Sequence, residues 1–287
     1  MAEQETWTTL KILAWTKDYL LSKGVANARL EAEWLLCAAM GLDRVGLYLQ
    51  YDKPLTNSEL AAYRTLVARR ARREPLQHIL GSQEFCGLDY EVTPDVLIPR
   101  HDTEVLVSEA LARQPSARSV LEIGTGSGCI AVTLQKKLSH AAVTATDISE
   151  AALNVARRNA GKHGAAIEFL CGSLFAPVPG LRFDLIVSNP PYIPTADIER
   201  LDQEVRDYDP RSALDGGGDG LDIYRALIPA AVEHLNPGGL LLVEIGIGQK
   251  KDVAALFQRT CGYDEPFTAL DPAGIERVVG AHRKEIT

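Results

Sequence analysis

The sequence is poor in the features that mark secreted, membrane-spanning and strongly basic proteins. Its few cysteines form no CxxC pair, which favours free thiols in a reducing cytosol over a metal site or a disulfide framework. No apolar run approaches the ~20 residues that a helix needs to cross a bilayer, and the acidic start does not resemble a signal peptide. We therefore expect a soluble, cytoplasmic protein without a bound metal. The five cysteines are Cys37, Cys86, Cys129, Cys171 and Cys261.

An excess of positive charge is also missing. The 30 Lys and Arg residues are outnumbered by 38 Asp and Glu residues, which gives a net charge of −8. Because nucleic-acid phosphates favour basic surfaces, this balance argues against a protein whose main partner is DNA or RNA, although a local basic patch is compatible with it. The 287 residues are more than one average domain, and the chain contains neither an internal repeat nor a low-complexity stretch.

The first 80 residues have the pattern of a small helical domain. Gly24 and Gly41 are suitable ends for the first two helices, and Asn27 is suited to cap the second. The capping box at Thr56–Glu59 opens a third helix, which Pro75 closes. The apolar face predicted for the first helix contains Trp7, Leu10, Leu13, Ala14 and Leu21.

Five arginines lie in or just after the third helix. Such a charge run is typical of a solvated helix face, and the alternative is that it meets an acidic partner. These residues are Arg64, Arg69, Arg70, Arg72 and Arg73. Beyond this helix, short β-type pieces broken by glycine and proline indicate a connector. We predict a helical domain at residues 1–80, a hairpin-like connector at 81–100 and an α/β domain at 101–287.

Strands and helices alternate after Arg118. Their apolar runs suit parallel strands that are buried on both faces by helices. The chain then ends in two consecutive strands joined by a turn. A terminal antiparallel hairpin on an otherwise parallel, Rossmann-like sheet of seven strands is typical of class I S-adenosylmethionine-dependent methyltransferases, and we predict this fold. The predicted strands are Ser119–Ile123, Ala142–Asp147, Ile167–Cys171, Phe183–Ser188, Leu240–Ile245, Pro266–Leu270 and Ile275–Ala281.

A glycine loop follows the first predicted strand and opens a helix. Glycines there let the backbone approach a ligand, and the free N–H groups of the helix start face it. Dinucleotide sites need G-x-G-x-x-G, but Cys129 stands where the third glycine belongs. The G-x-G-x-G spacing instead suits the amino-acid arm of S-adenosylmethionine, which has no pyrophosphate. The candidate cofactor contacts are Gly124, Thr125, Gly126, Ser127 and Gly128.

The next two strand ends complete the predicted nucleoside site. Asp147 closes the second strand, where a carboxylate can accept hydrogen bonds from both ribose hydroxyls. The alternative role for Asp147 is a helix N-cap before Ser149. After the third strand, either Leu174 or Phe175 is positioned to pack against the adenine, and the sequence does not choose between them.

Asn189-Pro190-Pro191-Tyr192 begins where the fourth strand ends, so it faces the reacting centre of such a fold. An amide or aromatic amino nitrogen is a poor nucleophile because its lone pair is delocalised. The side-chain oxygen of Asn189 and the carbonyl of Pro190 can each accept one N–H of the same –NH2 group, which orients it and stabilises the developing positive charge. The prolines fix the backbone, and Tyr192 offers a flat face for a planar group. The alternative is a proline-rich turn with a satisfied asparagine.

These motifs resemble those of the HemK/PrmC family, protein-(glutamine-N5) methyltransferases that act on peptide chain release factors. The resemblance runs from about Arg73 to Val279, and more loosely over the helical N-terminus. I-P-R-x-x-T-E at 98–104 and Y-D-P-R at 208–211 are more restrictive than N-P-P-Y, which adenine and guanine amino-methyltransferases share. Two positions depart from the family pattern. The family usually carries proline at the position of His101, and it often carries an aromatic residue at the position of Leu174. Further matches are Gly81–Phe85, Val96 and Leu97, Leu214, Gly216, Gly217, Asp219, Gly220, Leu221, Val243–Gly246 and Gln249.

The resemblance implies methyl transfer from S-adenosylmethionine to the glutamine of the Gly-Gly-Gln loop of a release factor, which the helical domain grips. It implies catalytic roles for Asn189, Pro190 and Tyr192, a cofactor contact from Asn189, and substrate contacts from the whole N-P-P-Y motif and Arg100. From the residues alone, only a planar –NH2 substrate follows. The alternatives are a ribosomal-protein glutamine methyltransferase, an adenine or guanine amino-methyltransferase, and a non-catalytic nucleoside-binding module.

Overall fold

A computed structural model describes residues 6–285, which form two compact units. One unit comprises the chain up to Gly81 together with Gln203–Tyr208, and the other comprises Ser82–Asp202 and the chain from Asp209 onward. The first unit begins with five helices: α1 (Thr9–Ser22), α2 (Ala28–Met40), α3 (Arg44–Leu49), α4 (Asn57–Arg70) and α5 (Leu76–Leu80).

A two-stranded hairpin follows from residue 82, and after Arg118 strands and helices alternate as the sequence predicts. In chain order the elements from residue 82 onward are β1 (Ser82–Phe85), β2 (Leu88–Glu91), α6 (Glu104–Arg113), β3 (Ser119–Ile123), α7 (Cys129–Lys137), β4 (Ala142–Asp147), α8 (Glu150–His163), β5 (Ile167–Cys171), β6 (Phe183–Ser188), α9 (Gln203–Tyr208), α10 (Asp222–His234), β7 (Leu235–Glu244), α11 (Lys250–Arg259), β8 (Phe267–Leu270) and β9 (Glu276–His282). Short 3-10 helices occupy His101–Thr103, Thr195–Arg200 and Arg211–Ala213. None of the helices within residues 6–285 is long and apolar enough to cross a membrane.

The first unit is a helical bundle with its own apolar core, which includes Leu20, Leu35 and Leu36. The capping box of α4 forms as predicted, because Thr56 and Glu59 each accept a backbone N–H hydrogen bond from the other. Asn27 stands at the N-cap of α2 but makes no side-chain cap hydrogen bond, whereas Gly41 ends this helix in the left-handed conformation.

The predicted buried face of α1 is wrong in part. Leu10 and Leu21 are exposed, and the helix buries Ile12 and Leu20 instead, with Leu13 shared by the predicted and the observed face. The reason is that α1 carries two apolar stripes, each compatible with the 3.6-residue period, and only packing against α2 and α4 selects between them.

The predicted solvated face of arginines is wrong in part: Arg64 and Arg72 are exposed, but the other three arginines pair with carboxylates. Arg70 is almost fully buried and is paired with Glu31 of α2 and Glu204 of α9. Arg73 pairs with the same Glu204, and Arg69 pairs with Glu74. A buried guanidinium needs such partners, because an unpaired charge out of water is strongly unfavourable. The acidic partners are therefore carboxylates of this chain.

The second unit contains the predicted seven-stranded sheet, in the order β5-β4-β3-β6-β7-β9-β8. The first five strands of this order are parallel, and β9 pairs antiparallel with both β7 and β8. The prediction of a class I methyltransferase fold with a helical N-terminal region is confirmed. The largest difference in strand bounds is in β7, which begins at Leu235, five residues before its predicted start.

The register of the sheet positions the site. Ile123 at the end of β3 lies opposite Thr146 of β4 and Ser188 of β6, and Ser188 lies opposite Val243 of β7. The loops that follow these strands therefore leave the sheet along one edge. An antiparallel hairpin, β1 and β2, precedes this sheet in the chain and contacts α8.

Candidate active site

A cavity of about 410 Å³ lies beyond the carboxyl ends of the parallel strands. This volume is within the range of small-molecule sites, and the location is where open α/β sheets bind ligands. Its walls come from the residues after β3, β4, β5 and β6, together with parts of 95–103 and 210–215. The lining residues at these strand ends are Gly124–Ser127 after β3, Asp147, Ile148 and Ser149 at the end of β4, Gly172–Leu174 after β5, and Asn189–Pro191 after β6.

The glycine loop bends tightly around the end of β3. Gly124 and Gly126 have φ values of 76° and 53°, a backbone region that favours glycine. Thr125 and Ser127 are buried and line the cavity. Gly128, in contrast, is not a lining residue. A Cβ at Gly128 would lie 3.0 Å from that of Ala156, so this glycine allows α7 and α8 to approach each other.

Glu122, at the penultimate position of β3, was not predicted as a site residue. Its Oε2 accepts hydrogen bonds from the Thr125 hydroxyl (2.6 Å) and the Ala131 N–H (3.0 Å). Its Oε1 is buried without a hydrogen-bond partner in the described chain, and the residue lines the cavity. Burial raises the pKa of this carboxyl to about 8, against the lowering effect of its two donors. The feature of the sequence that could have identified Glu122 as a site residue is its position, two residues before the first glycine of the loop.

Asp147 ends β4 and lines the cavity. Its Oδ2 accepts the Gly126 N–H at 2.9 Å, and its Oδ1 accepts the Ser149 N–H at 2.9 Å. The N-cap of α8 is Ser149, whose side chain accepts from Ala152, so the alternative role of Asp147 as this cap is wrong. Each carboxylate oxygen has a further lone pair for a ligand.

The structure separates the two candidates for the adenine contact. Leu174 lines the cavity and has a φ of 48°, an unusual conformation for a residue with a side chain. Phe175 is buried and stacks on His234 of α10, with ring centroids 4.4 Å apart, in the apolar core on that side of the sheet. Of the two candidates, only Leu174 therefore lines the cavity, because the ring of Phe175 packs within the protein.

Asn189, Pro190 and Pro191 all line the cavity at the end of β6. The Asn189 Nδ2 donates a hydrogen bond to the Thr103 hydroxyl at 3.2 Å. Tyr192 is not among the lining residues, and its hydroxyl lies 3.5 Å from Oε1 of Glu244. Burial raises the pKa of Tyr192 above its usual value.

A loop between the N-P-P-Y motif and α10 packs directly on the motif's backbone. A Cβ at Gly216 would lie 2.8 Å from the Pro191 carbonyl oxygen, and one at Gly220 would collide with the Tyr192 carbonyl oxygen. The Gln249 Nε2 donates to that same Tyr192 oxygen at 2.9 Å. These contacts explain the glycines and the glutamine that accompany the motif, since they fix the turn that aims it.

The two restrictive segments of the sequence meet in an ion pair. Arg100 lines the cavity and donates to Oδ2 of Asp209 at 2.7 Å. Asp209 is buried; burial raises the pKa of its carboxyl, and Arg100 acts in the opposite direction. The side chain of Arg100 is 42% exposed, so part of its guanidinium is open to a ligand. The sequence did not predict this pairing across more than a hundred residues.

One cluster of possible metal ligands occurs within residues 6–285. It consists of Glu84, His101 and Glu104, of which the first two are exposed. The carboxylates of Glu84 and Glu104 accept the backbone N–H groups of Gly87 and Cys86. None of the three lines the cavity.

Comparison with known proteins adds independent information. The family model described as the PrmC N-terminal domain matches residues 11–81, and the model described as the methyltransferase small domain matches residues 101–204. A release factor glutamine methyltransferase of Geobacter sulfurreducens is 65% identical over 96% of this chain and 97% of its own length. One of Moorella thermoacetica is 46% identical over 93% of this chain and 95% of its own length.

A solved structure agrees with the fold. The crystal structure of a methyltransferase from Pyrococcus furiosus is 25% identical, covers 76% of this chain and 99% of that protein, and has a TM-score of 0.53. The family matches extend over both the helical N-terminal region and the α/β region, as the sequence motifs predict. The chain belongs to the family of release factor glutamine methyltransferases.

Proposed function

We propose that this chain transfers the methyl group of S-adenosylmethionine to the side-chain amide nitrogen (N5) of the glutamine in the Gly-Gly-Gln loop of peptide chain release factors. The observation that carries the proposal is the convergence of Asn189, Pro190 and the glycine loop on one cavity, in a chain 65% identical to a named relative. S-Adenosylhomocysteine and N5-methylglutamine would be the products.

The residues around the cavity fit S-adenosylmethionine. The glycine loop permits close approach of the ligand, and Asp147 offers lone pairs to ribose hydroxyls at the adjoining strand end. The unpartnered Oε1 of Glu122 is an acceptor suited to a cationic group such as the cofactor's ammonium. Leu174, which lines the cavity, would pack on the adenine. Bound in this way, the cofactor supplies an electrophilic methyl group on a sulfonium.

The protein's contribution to the transfer is orientation and charge stabilisation. The Asn189 side-chain oxygen and the Pro190 carbonyl would each accept one N–H of the glutamine amide, which directs the nitrogen toward the methyl carbon. As the N–C bond forms, the C–S bond breaks, its electron pair goes to sulfur, and the nitrogen releases one proton to water. The two oxygens stabilise the positive charge that develops on the nitrogen. Tyr192, behind the lining, supports the turn.

Substrate recognition is assigned to the helical region at residues 1–80, with 81–100 as connector and 101–287 as the catalytic domain. Arg100, with its partly exposed guanidinium, is assigned to the substrate side of the cavity. The proposed reaction belongs to the cytoplasm, where release factors act, and requires neither a metal nor a nucleic-acid substrate.

A labelling assay tests the proposal. The protein receives methyl-labelled S-adenosylmethionine with a release factor, the same factor with its loop Gln→Ala, ribosomal proteins, or mixed DNA and RNA. We expect label on the intact factor alone, and a mass increase of one methyl group on its loop glutamine. A short Gly-Gly-Gln peptide should be a poor substrate, because it lacks the remote contacts that contribute binding energy.

Other outcomes redirect the assignment. Equal label on the Gln→Ala factor would show that the loop glutamine is not the methylated residue. Label on nucleic acid would favour an adenine or guanine amino-methyltransferase. Label confined to a ribosomal protein would favour the ribosomal-protein glutamine methyltransferase. No transfer to any substrate, with intact cofactor binding, would favour the non-catalytic module.

A further inference from the structure

Behind the cavity, polar side chains from three separate elements meet next to Asn189. Asn189 follows β6 and Glu244 ends the neighbouring strand β7, so the sheet register brings the two residues to adjacent strand ends. Thr103, from the 3-10 helix before α6, accepts a hydrogen bond from Asn189, and its hydroxyl interacts with the Glu244 carboxyl, whose Oε2 is buried without another partner in the described chain. Thr103 and Glu244 are 3% and 2% exposed, so water does not compete for these bonds.

When Glu244 is ionised, the donors and acceptors in this chain of contacts can be assigned in only one consistent way. A threonine hydroxyl has one hydrogen to donate, and an ionised carboxylate only accepts. Thr103 therefore donates to Glu244 and has its lone pairs left for Asn189. The amide of Asn189 must then present its Nδ2 to Thr103, as observed at 3.2 Å, and its Oδ1 is left for the cavity.

Glu244 itself does not line the cavity, unlike Thr103. Its surroundings are Thr103, the Tyr192 hydroxyl at 3.5 Å, and the charges of Arg277 and Asp102. The Tyr192 hydroxyl directs a second hydrogen at the same carboxylate. The carboxylate can therefore influence a bound substrate only through its neighbours.

We propose that Thr103 and Glu244 are positioning residues that lock the Asn189 amide with its oxygen toward the substrate, an inference that rests on the proposed methyl transfer. If the amide were rotated by half a turn, its NH2 group would face the NH2 group of the glutamine. Two donors cannot hydrogen-bond to each other, and the orienting contact would be lost. Asparagine alone has no preference between the two orientations, so the selection comes from the hydroxyl and the carboxylate behind it.

The test measures single-turnover methylation of a release factor by full-length Thr103→Val, Thr103→Ser and Glu244→Gln. Valine keeps the shape of threonine but cannot accept from Asn189, so we expect a rate about 10- to 100-fold lower, as for a buried polar group that loses its partner. Serine keeps the hydroxyl and should restore the rate to within about threefold of the wild type. Affinity for S-adenosylmethionine should change little in the three variants.

A double-mutant cycle separates positioning from a general effect on the fold. In an Asn189→Ala background, Thr103→Val and Glu244→Gln should cause no further loss of rate, because they act through the missing amide. Thr133→Val is the matched control, since it removes another fully buried hydroxyl of the same unit, one bonded to Tyr90. It should keep the wild-type rate.

The outcomes are distinguishable from those of the proposed function. If the wild type methylates the release factor and Thr103→Val does so at the same rate, the inference is overturned while the function stands. A loss that persists in the Asn189→Ala background, or that serine fails to restore, also overturns it. If Thr103→Val does not fold, Glu244→Gln, which preserves the size of the side chain, decides by the same cycle.

Discussion

The charge of Glu122 should make the stability of the free protein depend on pH. The structure buries this carboxyl with one oxygen unpaired and raises its pKa from 4.5 to about 8. The folded state therefore holds a proton that the unfolded chain has already released. Stability that is fully present below pH 4.5 is lost as the pH rises toward 8, at about 1.4 kcal/mol per pH unit and about 5 kcal/mol in total.

The Glu122→Gln variant isolates this effect. Glutamine resembles the protonated form at every pH, so it removes the cost of ionising a buried carboxyl. Relative to the wild type, the variant should gain stability progressively between about pH 5 and pH 8, and the difference should become constant above that range. Urea unfolding of both proteins at pH 5, 6, 7, 8 and 9, without cofactor, measures the difference. Other buried groups, such as Glu244 with a pKa of about 7, contribute equally to both proteins, so their contributions cancel in the difference between the two unfolding free energies.

The same variant should lose affinity for the cofactor although it gains stability. If the free oxygen of Glu122 meets a positively charged group, S-adenosylmethionine should bind more weakly to Glu122→Gln than to the wild type. The control variant is Glu168→Gln, at an exposed position of β5, which should behave as the wild type in both assays. The reasoning is refuted if the wild type and Glu122→Gln give parallel curves of unfolding free energy against pH. Parallel curves would mean that the buried carboxyl is solvated or paired in solution.

Three further predictions concern the same cavity. Asp147→Ala should weaken binding of S-adenosylmethionine by roughly tenfold or more with a smaller effect on the fold; unchanged affinity in a calorimetric titration would overturn the ribose assignment. Asn189→Ala should bind cofactor within a few-fold of the wild type and transfer methyl about 10²- to 10³-fold more slowly, and a near wild-type single-turnover rate would remove it from catalysis. Gly220→Ala should strongly reduce turnover, because its Cβ would collide with the Tyr192 carbonyl, whereas Gly218→Ala in the same loop has open space and should be silent; equal rates for the two variants would contradict the packing argument.

Local sequence was sufficient for much of the fold and for the position of the cavity. Gly124–Ser127, Asp147 and Asn189 could be placed at the cavity because each lies at or just after the end of a strand with a strong apolar pattern, and parallel strands end at one edge of a sheet. The difference between Leu174 and Phe175 could not be predicted, since neighbouring residues in a loop point in directions that depend on one backbone angle, here a left-handed one.

The remaining features depend on contacts between distant parts of the chain. The positioning role inferred for Thr103 and Glu244 depends on their proximity to Asn189. That residue is 86 and 55 positions away from them in the sequence. Arg70 was expected in solvent because its partners, Glu31 and Glu204, lie on helices far from it in the sequence. A charge pattern within one helix contains no information about a carboxylate that arrives from another.

The short helix α9 makes the helical unit discontinuous in sequence, with a practical meaning for domain exchange. Its Glu204 bonds to Arg70 and Arg73, and the Tyr208 hydroxyl donates to the Arg72 carbonyl, yet α9 is encoded within the α/β half. A chimaera that replaces only the chain up to Gly81 would pair one parent's arginines with the other parent's α9. A functional graft must therefore carry two inserts, with junctions after Gly81, before Gln203 and after Tyr208, and substrate preference should follow the pair of inserts together.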